Sequence, residues 1–306
     1  MLSLRALVLV LSALTPVLAL SACGGEDGTS RAPSASRTAA LTPAPAARRA
    51  AASQTGALVW AVGDGDAGPD AGKLVEVIRR SRPDRFLYLG DVYERGTAAD
   101  FARRYAPTYG RLARLTAPTP GNHEWPRAND GYRPYWKRVM GKRVPSYYAL
   151  EAGGWEILSM NSQVSHGTGS AQMRWLRARL RRPGTCRLAF WHRPRFSAGR
   201  SHGDQPDVAP LWRALAGHAR LILGAHDHDS QRFRRRDGIT QFVAGAGGRS
   251  LYPLRRDRRL AFGDARRPAA LRLSLRPGAA RIAFVDSSGR VLDRSSVRCM
   301  PLGTRR

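Results

Sequence analysis

The sequence has little cysteine, little lysine and few aromatic residues. Its 3 cysteines in 306 residues exclude a disulfide-dense small scaffold, and a chain of this length can bury a core without such bonds. Aromatic residues make up only 8% of the chain, whereas there are 31 glycines and 20 prolines, which is typical of a loop-rich globular protein. The single long apolar run, residues 6–20, is shorter than the roughly 20 residues that span a bilayer.

The scarcity of lysine means that the net charge of +28 comes almost entirely from arginine. Such an excess attracts anionic substrates and anionic surfaces. The arginines are scattered, apart from short clusters at residues 234–236 and 255–259, and neither cluster has interleaved aromatic residues. We therefore do not predict nucleic acid as the physiological partner, although nucleic acid as a substrate stays open.

The N-terminus has the features of an export signal. Residues 1–22 combine one early cation with the apolar run, which is the composition of a signal peptide. They lead into Leu20-Ser21-Ala22-Cys23, which resembles the bacterial lipobox, in which the cysteine becomes lipidated. We predict lipidation of Cys23 and an exported protein held by this anchor at the outer face of the cell membrane. Ordinary cleavage after Ala22, which would leave a free cysteine, is the alternative.

The rest of the chain divides by composition. Residues 23–56 are almost entirely Ala, Pro, Ser, Thr, Gly and Arg without apolar periodicity, which predicts a disordered linker. Residues 57–300 are the predicted domain, and residues 301–306 are a basic tail. The two remaining cysteines, Cys186 and Cys299, favour a disulfide bond in an exported protein, with two buried free thiols as the alternative.

The domain begins with short apolar runs that alternate with helical patterns. We predict strands at 57–62 and 85–89 and helices at 71–80 and 98–112, which indicates βαβ units and a mainly parallel sheet. Later patterns predict a hairpin at 146–150 and 155–160, helices at 171–182 and 210–215, and strands at 187–191 and 220–223. The last patterns, at 241–243, 270–275 and 281–285, predict antiparallel strands.

Chemically active side chains recur directly after the predicted strands. They are two aspartates, one asparagine and four of the seven histidines: Asp64, Asp91, Asn122, His123, His192, His226 and His228. Because the carboxyl ends of neighbouring strands form the ligand crevice of an open α/β sheet, we expect these side chains at one rim.

The order of these residues resembles a known family. Five segments are similar to the motifs of the calcineurin-like metallophosphoesterase superfamily, in particular its bacterial purple-acid-phosphatase-like branch: Gly63-Asp64, Gly90-Asp91, Gly121-Asn122-His123-Glu124, Trp191-His192 and His226-Asp227-His228. The resemblance covers residues 57–299. It implies an α/β fold, a two-sheet metallophosphoesterase sandwich flanked by helices.

The resemblance also implies two divalent or mixed-valence transition-metal ions, with Fe, Mn or Zn as candidates. Asp91 would bridge the ions, and Asp64 and His228 would hold the first of them. The second would be held by Asn122, His192 and His226. His123 would bind no metal but would protonate the leaving oxygen or stabilise the phosphoryl oxygens, while metal-bound hydroxide attacks the phosphorus.

Three positions depart from the family pattern. Purple acid phosphatases place a metal-binding tyrosine three residues after the bridging aspartate, where this chain has Glu94, and Tyr93 comes one residue early. Other members have histidine two residues after the first aspartate, where this chain has Asp66. Tyr93, Glu94 and Asp66 therefore all stay candidates for completing the first metal site. Ala225 replaces the glycine that usually precedes the His-x-His pair.

These observations predict an exported, lipid-anchored dinuclear phosphoesterase that acts on a phosphorylated small molecule or polymer. One alternative is a non-catalytic lipoprotein that binds polyanions on the same scaffold. A second alternative is a phosphodiesterase acting on nucleotides or nucleic acid. Two residues stay undecided: His202 could contact substrate or be a surface-loop residue, and for Arg193 a structural role is favoured over a phosphate clamp.

Overall fold

The computed structural model describes residues 56–182 and 186–299. The predicted signal peptide, the lipidation site Cys23, the linker up to residue 55 and the tail at 301–306 lie outside the described residues. Within the described part of the chain, no helix is both long and apolar enough to cross a membrane.

The first part of the domain alternates strands with helices, as predicted. Its elements are β1 (Ala57–Val62), α1 (Pro69–Arg80), β2 (Arg85–Tyr88), α2 (Ala98–Asp100), β3 (Thr116–Pro118) and α3 (Tyr132–Met140). Pro69 suits the first position of α1, because an amide there has no partner within the helix. The buried face of α1 includes Leu74, Val75 and Ile78, as the apolar pattern predicted, whereas α3 was not predicted.

The remaining elements are mostly strands. They are β4 (Tyr148–Ala152), β5 (Trp155–Ser159), α4 (Ala171–Leu180), β6 (Cys186–Phe190), α5 (Ala209–Leu215), β7 (Leu221–Gly224), β8 (Ser230–Phe233), β9 (Thr240–Ala244), β10 (Leu260–Asp264), β11 (Ala269–Arg276), β12 (Ala279–Asp286) and β13 (Val291–Arg298). The predicted hairpin is β4 with β5, and it turns at Gly153 and Gly154, whose φ angles are 54° and 76°. The sequence analysis missed four strands: β3, β8, β10 and β13.

The strands form two mixed sheets. One has six strands in the order β13-β12-β11-β1-β2-β3, and the other has seven in the order β10-β8-β9-β7-β6-β5-β4. In the first, β1, β2 and β3 are parallel; in the second, β5, β6, β7 and β9 are parallel; the other neighbours are antiparallel. The predicted parallel arrangement therefore holds for β1 to β3 at one side of the six-stranded sheet and for the middle of the seven-stranded sheet. The last strands, β11 to β13, are antiparallel, as predicted.

The sheets pack face to face with helices outside, which confirms the predicted sandwich. Side chains of both sheets, such as Leu87 and Phe190, share one buried cluster. A second cluster lies between the six-stranded sheet and α1, and a third lies between the seven-stranded sheet and helices α4 and α5. Alternate residues of β1 enter different clusters, Val59 the central one and Trp60 the outer one, which explains why this strand is apolar throughout.

The helix predicted at 98–112 is interrupted, and this prediction is wrong. α2 continues as a π-helical turn, Phe101–Tyr105, and the chain then forms a 3-10 helix, Tyr109–Leu115. Pro107 lies between these two segments. Proline lacks an amide hydrogen, and its ring clashes with the preceding turn, so a regular α-helix does not continue through it.

A disulfide bond joins Cys186 to Cys299, as predicted, with 5.6 Å between their Cα atoms. Cys186 begins β6 of the seven-stranded sheet, and Cys299 directly follows β13 of the six-stranded sheet. The bond therefore crosslinks the two layers, and it does so at the amino end of β6, opposite to the end that leads into His192.

Candidate metal centre

The predicted rim is present and spans both sheets. Each of its seven side chains follows the carboxyl end of a parallel strand: Asp64 after β1, Asp91 after β2, Asn122 and His123 after β3, His192 after β6, and His226 and His228 after β7. The aspartates and the Asn-His pair come from the six-stranded sheet, and the other three histidines come from the seven-stranded sheet. Neither sheet alone carries the complete set.

The aspartates leave their strands through tight turns. Asp64 and Asp91 have φ angles of 56° and 63°, in the left-handed region that aspartate tolerates better than most residues. Gly121 allows the next loop to approach, because a Cβ atom there would collide with Oδ1 of Asp91. The glycines of the motifs therefore have a steric role that brings the aspartates close to the histidines.

One group of donor atoms comes from Asp91, His192 and His226, whose ligand atoms all lie within 4.8 Å of one another. His192 Nε2 is 3.2 Å from Asp91 Oδ2 and 3.1 Å from His226 Nδ1. The side-chain oxygen of Asn122 lies 3.1 Å from the same His192 nitrogen. The four residues predicted to surround the second ion, including the shared aspartate, are therefore together.

A second group of donor atoms comes from Asp64, His228 and Tyr93. The Tyr93 hydroxyl is 2.9 Å from Asp64 Oδ1 and 2.7 Å from His228 Nε2. The same hydroxyl is 3.3 Å from Asp91 Oδ2. One oxygen of Asp91 is therefore within hydrogen-bond distance of a member of each group.

Of the three candidates for completing the first site, only Tyr93 points into it. The Asp66 carboxylate accepts from Arg104 at 2.7 Å and from Arg249 at 2.8 Å. The Glu94 carboxylate also contacts Arg249, and 47% of its side chain is exposed. Although Tyr93 comes one residue early in the motif, its side chain is buried and its hydroxyl lies between Asp64 and His228.

Hydrogen bonds to main-chain carbonyls orient two of the imidazoles. His192 Nδ1 lies 3.0 Å from the Leu89 oxygen, and His228 Nδ1 lies 2.8 Å from the Ser250 oxygen. A carbonyl oxygen can only accept, so Nδ1 carries the proton in each ring. Nε2 of each ring then faces the donor groups, an arrangement typical of metal-binding histidines.

Burial and charge shift the pKa values of these groups in a way that fits a cation site. Burial raises the pKa of Asp64 well above its usual value, and the nearby Asp91 adds to this effect. Burial alone would lower the pKa of His192, but the carboxylates of Asp91, Asp64 and Glu124 raise it to about 9. Without metal, a proton on His192 therefore supplies part of the positive charge that the buried carboxylates need.

The other two histidines predicted to bind metal are kept neutral. Burial, together with the charge of His192, lowers the pKa of His226 to about 2. Burial also lowers the pKa of His228 to about 4. Neutral imidazoles beside two carboxylates and a phenol form a donor set that suits Fe, Mn or Zn, so the residues present fit such ions.

His123 lies at the edge of the site, with 33% of its side chain exposed. Its Nδ1 is 2.5 Å from the Glu94 carbonyl oxygen, which is the orienting acceptor that the sequence did not reveal. Its Nε2 is 3.8 Å from Asp91 Oδ2 and therefore faces the donor groups. His202 stacks on His226 at 3.9 Å between ring centroids, and Arg193 is half-buried.

Glu124 is a residue whose role the sequence analysis missed. Its buried carboxylate accepts from the amides of Gly121 at 2.9 Å and of Asp91 and Val92 at 3.2 Å each. Glu124 thereby ties the loop after β2 to the loop after β3. Its place in the Gly-Asn-His-Glu motif was the available signal, but its hydrogen-bond partners depend on the fold.

Asp227 is a second such residue, and it lies between His226 and His228, two of the predicted metal ligands. Its carboxylate accepts from the Ser197 hydroxyl at 2.5 Å and from the amides of His202 and Gly203 at 3.1 and 3.0 Å. It therefore holds the loop that carries His202 against the site.

Comparisons with known proteins identify the family of this chain and solved structures of similar fold. The model of the calcineurin-like phosphoesterase family matches residues 65–230, more than half of the 306-residue chain. A search of curated proteins finds no significant match. The fold is similar to that of the purple acid phosphatase PPD1 from yellow lupin seeds, with a TM-score of 0.63 and 15% identity over 80% of this chain and 54% of that one.

Two further solved structures are similar in fold. GAP50, described as the anchor in the inner membrane complex of Plasmodium, has a TM-score of 0.64 and 13% identity over 79% of this chain and 89% of that one. A dimetal phosphatase from Danio rerio has a TM-score of 0.52 and 12% identity over 79% of this chain and 98% of that one. This chain spans about half the length of the lupin protein, and at these identities the likeness concerns the fold.

The pKa values predict how pH affects metal binding. His192 keeps its proton in the folded, metal-free protein up to about pH 9, whereas an unfolded histidine loses it near pH 6.5. The stability that this proton gives to the metal-free fold is therefore lost as pH rises from 6.5 to 9. Glu124, with a pKa near 8, acts in the same direction. Metal ions replace this charge. The gap in Tm between metal-loaded and chelator-treated protein should therefore widen between pH 6.5 and 9, and a constant or narrowing gap would contradict the assignment.

Proposed function

This chain belongs to the calcineurin-like phosphoesterase family, and we propose that it is an exported, acid-phosphatase-like hydrolase that uses two transition-metal ions. Membership of this family supports metal-dependent hydrolysis of phosphate esters, and the chain has a buried cluster of acidic and imidazole donors. The proposal adds the arrangement of the ligands, the acid-phosphatase-like chemistry and the location outside the cell.

The observation that carries the proposal is the position of Asp91 Oδ2. It lies 3.2 Å from His192 Nε2 in one donor group and 3.3 Å from the Tyr93 hydroxyl in the other. A carboxylate between two cations offsets their repulsion, which a centre of two ions requires. Asp64, His228 and Tyr93 would hold one ion, and Asn122, His192 and His226 would hold the other. A purely polyanion-binding protein has no need for this arrangement.

When bound, two such ions lower the pKa of water and neutralise the charge that develops on the phosphoryl group. The protein supplies the positions. Glu124 and Gly121 fix the loops that carry Asp91 and Asn122, and the carbonyl oxygens of Leu89 and Ser250 set the rings of His192 and His228. His123 Nε2 would donate its proton to the leaving oxygen, since the Glu94 carbonyl holds the other ring nitrogen.

Tyr93 supports the likeness to purple acid phosphatases. Burial and the neighbouring Asp64 and Asp91 carboxylates raise the pKa of its phenol well above the ordinary value. Only a strongly charged cation at the first site would keep such a phenol ionised, and iron(III) is a cation of this kind. Iron at the first site is therefore the proposed state.

Replacing His123 with alanine tests the proposed acid. We expect kcat for p-nitrophenyl phosphate to fall about 10²- to 10⁴-fold, the usual contribution of a general acid, while the metal content stays that of the parent. His218→Ala, a change of an exposed histidine, is the matched control and should alter neither quantity. Equal loss of metal and turnover in His123→Ala would refute the assignment. The bis-ester, assayed alongside, separates a phosphatase from a phosphodiesterase.

Replacing Tyr93 with phenylalanine tests the first site. The iron-loaded parent should show a visible absorption band from tyrosinate bound to iron(III), and Tyr93→Phe should lose that band because the ligand oxygen is gone. Tyr252→Phe is the matched control, because the Tyr252 ring stacks on His228 at 3.9 Å and its hydroxyl has no partner among the described residues. A band that survives in Tyr93→Phe, or is absent from the iron-loaded parent, would exclude tyrosinate ligation.

We also propose that the chain is exported and held to the membrane by lipid on Cys23, on the strength of residues 1–23 alone. In a bacterial host, the full chain should partition into detergent and carry the mass of a lipid on its N-terminal cysteine. Cys23→Ser should carry no lipid mass, and it should move to the aqueous phase once residues 6–20 are removed by another signal peptidase. Aqueous partitioning of the parent chain would leave export by an ordinary signal peptide and exclude the anchor.

A further inference from the structure

The two arginine-rich segments singled out in the sequence, residues 234–236 and 255–259, lie side by side in the fold. The Arg234 amide donates to the Arg259 carbonyl at 2.7 Å, and Arg234 Nε donates to the Arg258 carbonyl at 3.3 Å. β8, which leads into the first segment, pairs with β10, which follows the second. Two clusters separated in sequence thus form one basic surface.

This surface continues towards the loop after β6. The Arg255 amide donates to the Ala198 carbonyl at 2.9 Å, and Arg255 Nη2 donates to the Gly199 carbonyl at 2.8 Å. The Arg200 amide donates to the Pro253 carbonyl at 3.0 Å. These contacts pack the second arginine segment against residues 198–200, which brings Arg200 next to it.

The same loop reaches the metal centre two residues later. His202 is exposed and stacks on His226, one of the proposed metal ligands, at 3.9 Å between ring centroids. A Cβ atom on the next residue, Gly203, would collide with the Arg255 guanidinium. The basic surface therefore begins beside the open edge of the metal centre and leads away from it along residues 255–258 and 234–235.

Most of this surface has no compensating negative charge. Six exposed arginines, which we call the arginine track, form no ion pair with any acid in the described residues: Arg200, Arg255, Arg256, Arg258, Arg234 and Arg235. The neighbouring acids Asp204 and Asp257 both pair with Arg259, at 2.7 and 2.6 Å. Several unpaired guanidinium groups in a row attract a ligand with several negative charges rather than one.

Phe196 and Phe233, two aromatic rings beside the track, are already covered. Guanidinium groups of Arg195, Arg236 and Arg259 lie 4.6, 5.1 and 5.3 Å from the ring centroid of Phe196. Phe233 is only 3% exposed. Single-stranded nucleic acids need open aromatic faces for base stacking, and these rings do not offer them. The track therefore suits phosphate groups without bases.

We propose that the arginine track binds the outlying phosphates of a linear, base-free polyphosphorylated substrate while its terminal phosphate lies in the metal centre. This rests on the proposed function and names the substrate class of the same site. A guanidinium group binds phosphate oxygens through paired N–H donors, so successive arginines can hold successive phosphates.

The test compares two triple variants of the full chain that remove equal charge. Arg200→Gln, Arg256→Gln and Arg258→Gln together alter three track residues whose side chains make no hydrogen bond among the described residues. Arg281→Gln, Arg294→Gln and Arg298→Gln together alter exposed arginines of β12 and β13, at the outer edge of the six-stranded sheet. Binding of a short inorganic polyphosphate of defined length is measured by calorimetry, with metal present and after chelation.

We expect the track triple to weaken polyphosphate binding roughly tenfold or more, because three exposed ion pairs are lost, and to reduce its dependence on salt. The edge triple should change the affinity for polyphosphate less than about twofold, which is no more than one exposed ion pair contributes. In the parent, the polyphosphate should inhibit hydrolysis of p-nitrophenyl phosphate competitively, by raising KM and leaving kcat unchanged.

If both triple variants lose polyphosphate affinity equally, net charge alone explains the binding and the proposed role of the track is refuted. Single-stranded DNA of equal length that binds as tightly as polyphosphate would overturn the base-free ligand class. A chain that binds polyphosphate through the track but hydrolyses no ester in any metal-loaded form would support the track and refute the hydrolase. Turnover without track-dependent binding would refute the track and leave the hydrolase standing.

Discussion

Two buried carboxylates that face each other are the constraint on which the site depends. Asp64 and Asp91 are at most 1% exposed, and their mutual repulsion, added to the loss of water, would be costly without positive charge between them. The metal-free fold supplies part of that charge by protonating His192. Two cations would supply it more fully. Three features are consistent with a fold built around such cations: the left-handed turns at the aspartates, the glycines that permit close approach, and the hydrogen bonds of Glu124 that join two loops.

The site lies where the two sheets meet, and each sheet supplies part of the donor set. One sheet brings the carboxylates, and the other brings three of the imidazoles, so bound ions would link the layers at the carboxyl ends of the strands. The disulfide between Cys186 and Cys299 links the layers at the opposite end of β6. Between these two ends, the apolar side chains shared by both sheets form the central core.

The sequence was sufficient to predict which residues meet, because most of them follow predicted apolar strands and parallel strands bring their carboxyl ends to one edge. Asn122 and His123 follow β3, a strand that was not predicted, and were found through their motif. The resemblance to the family implied the sandwich, and the two remaining cysteines favoured the disulfide. The sequence could not predict that Tyr93, rather than Asp66 or Glu94, reaches the first site, because Arg104 and Arg249 are what hold the two acids away. Nor could it reveal the main-chain hydrogen bond between Arg234 and Arg259, since that contact depends on the alignment of β8 with β10.

The most direct test of the account is a crystal structure of the metal-loaded protein with anomalous diffraction at the metal edge. The account predicts two peaks about 3.5–4 Å apart with a carboxylate oxygen of Asp91 between them. It also predicts the Tyr93 oxygen beside the ion held by Asp64 and His228. A single peak, or two peaks that share no ligand atom from Asp91, would contradict it.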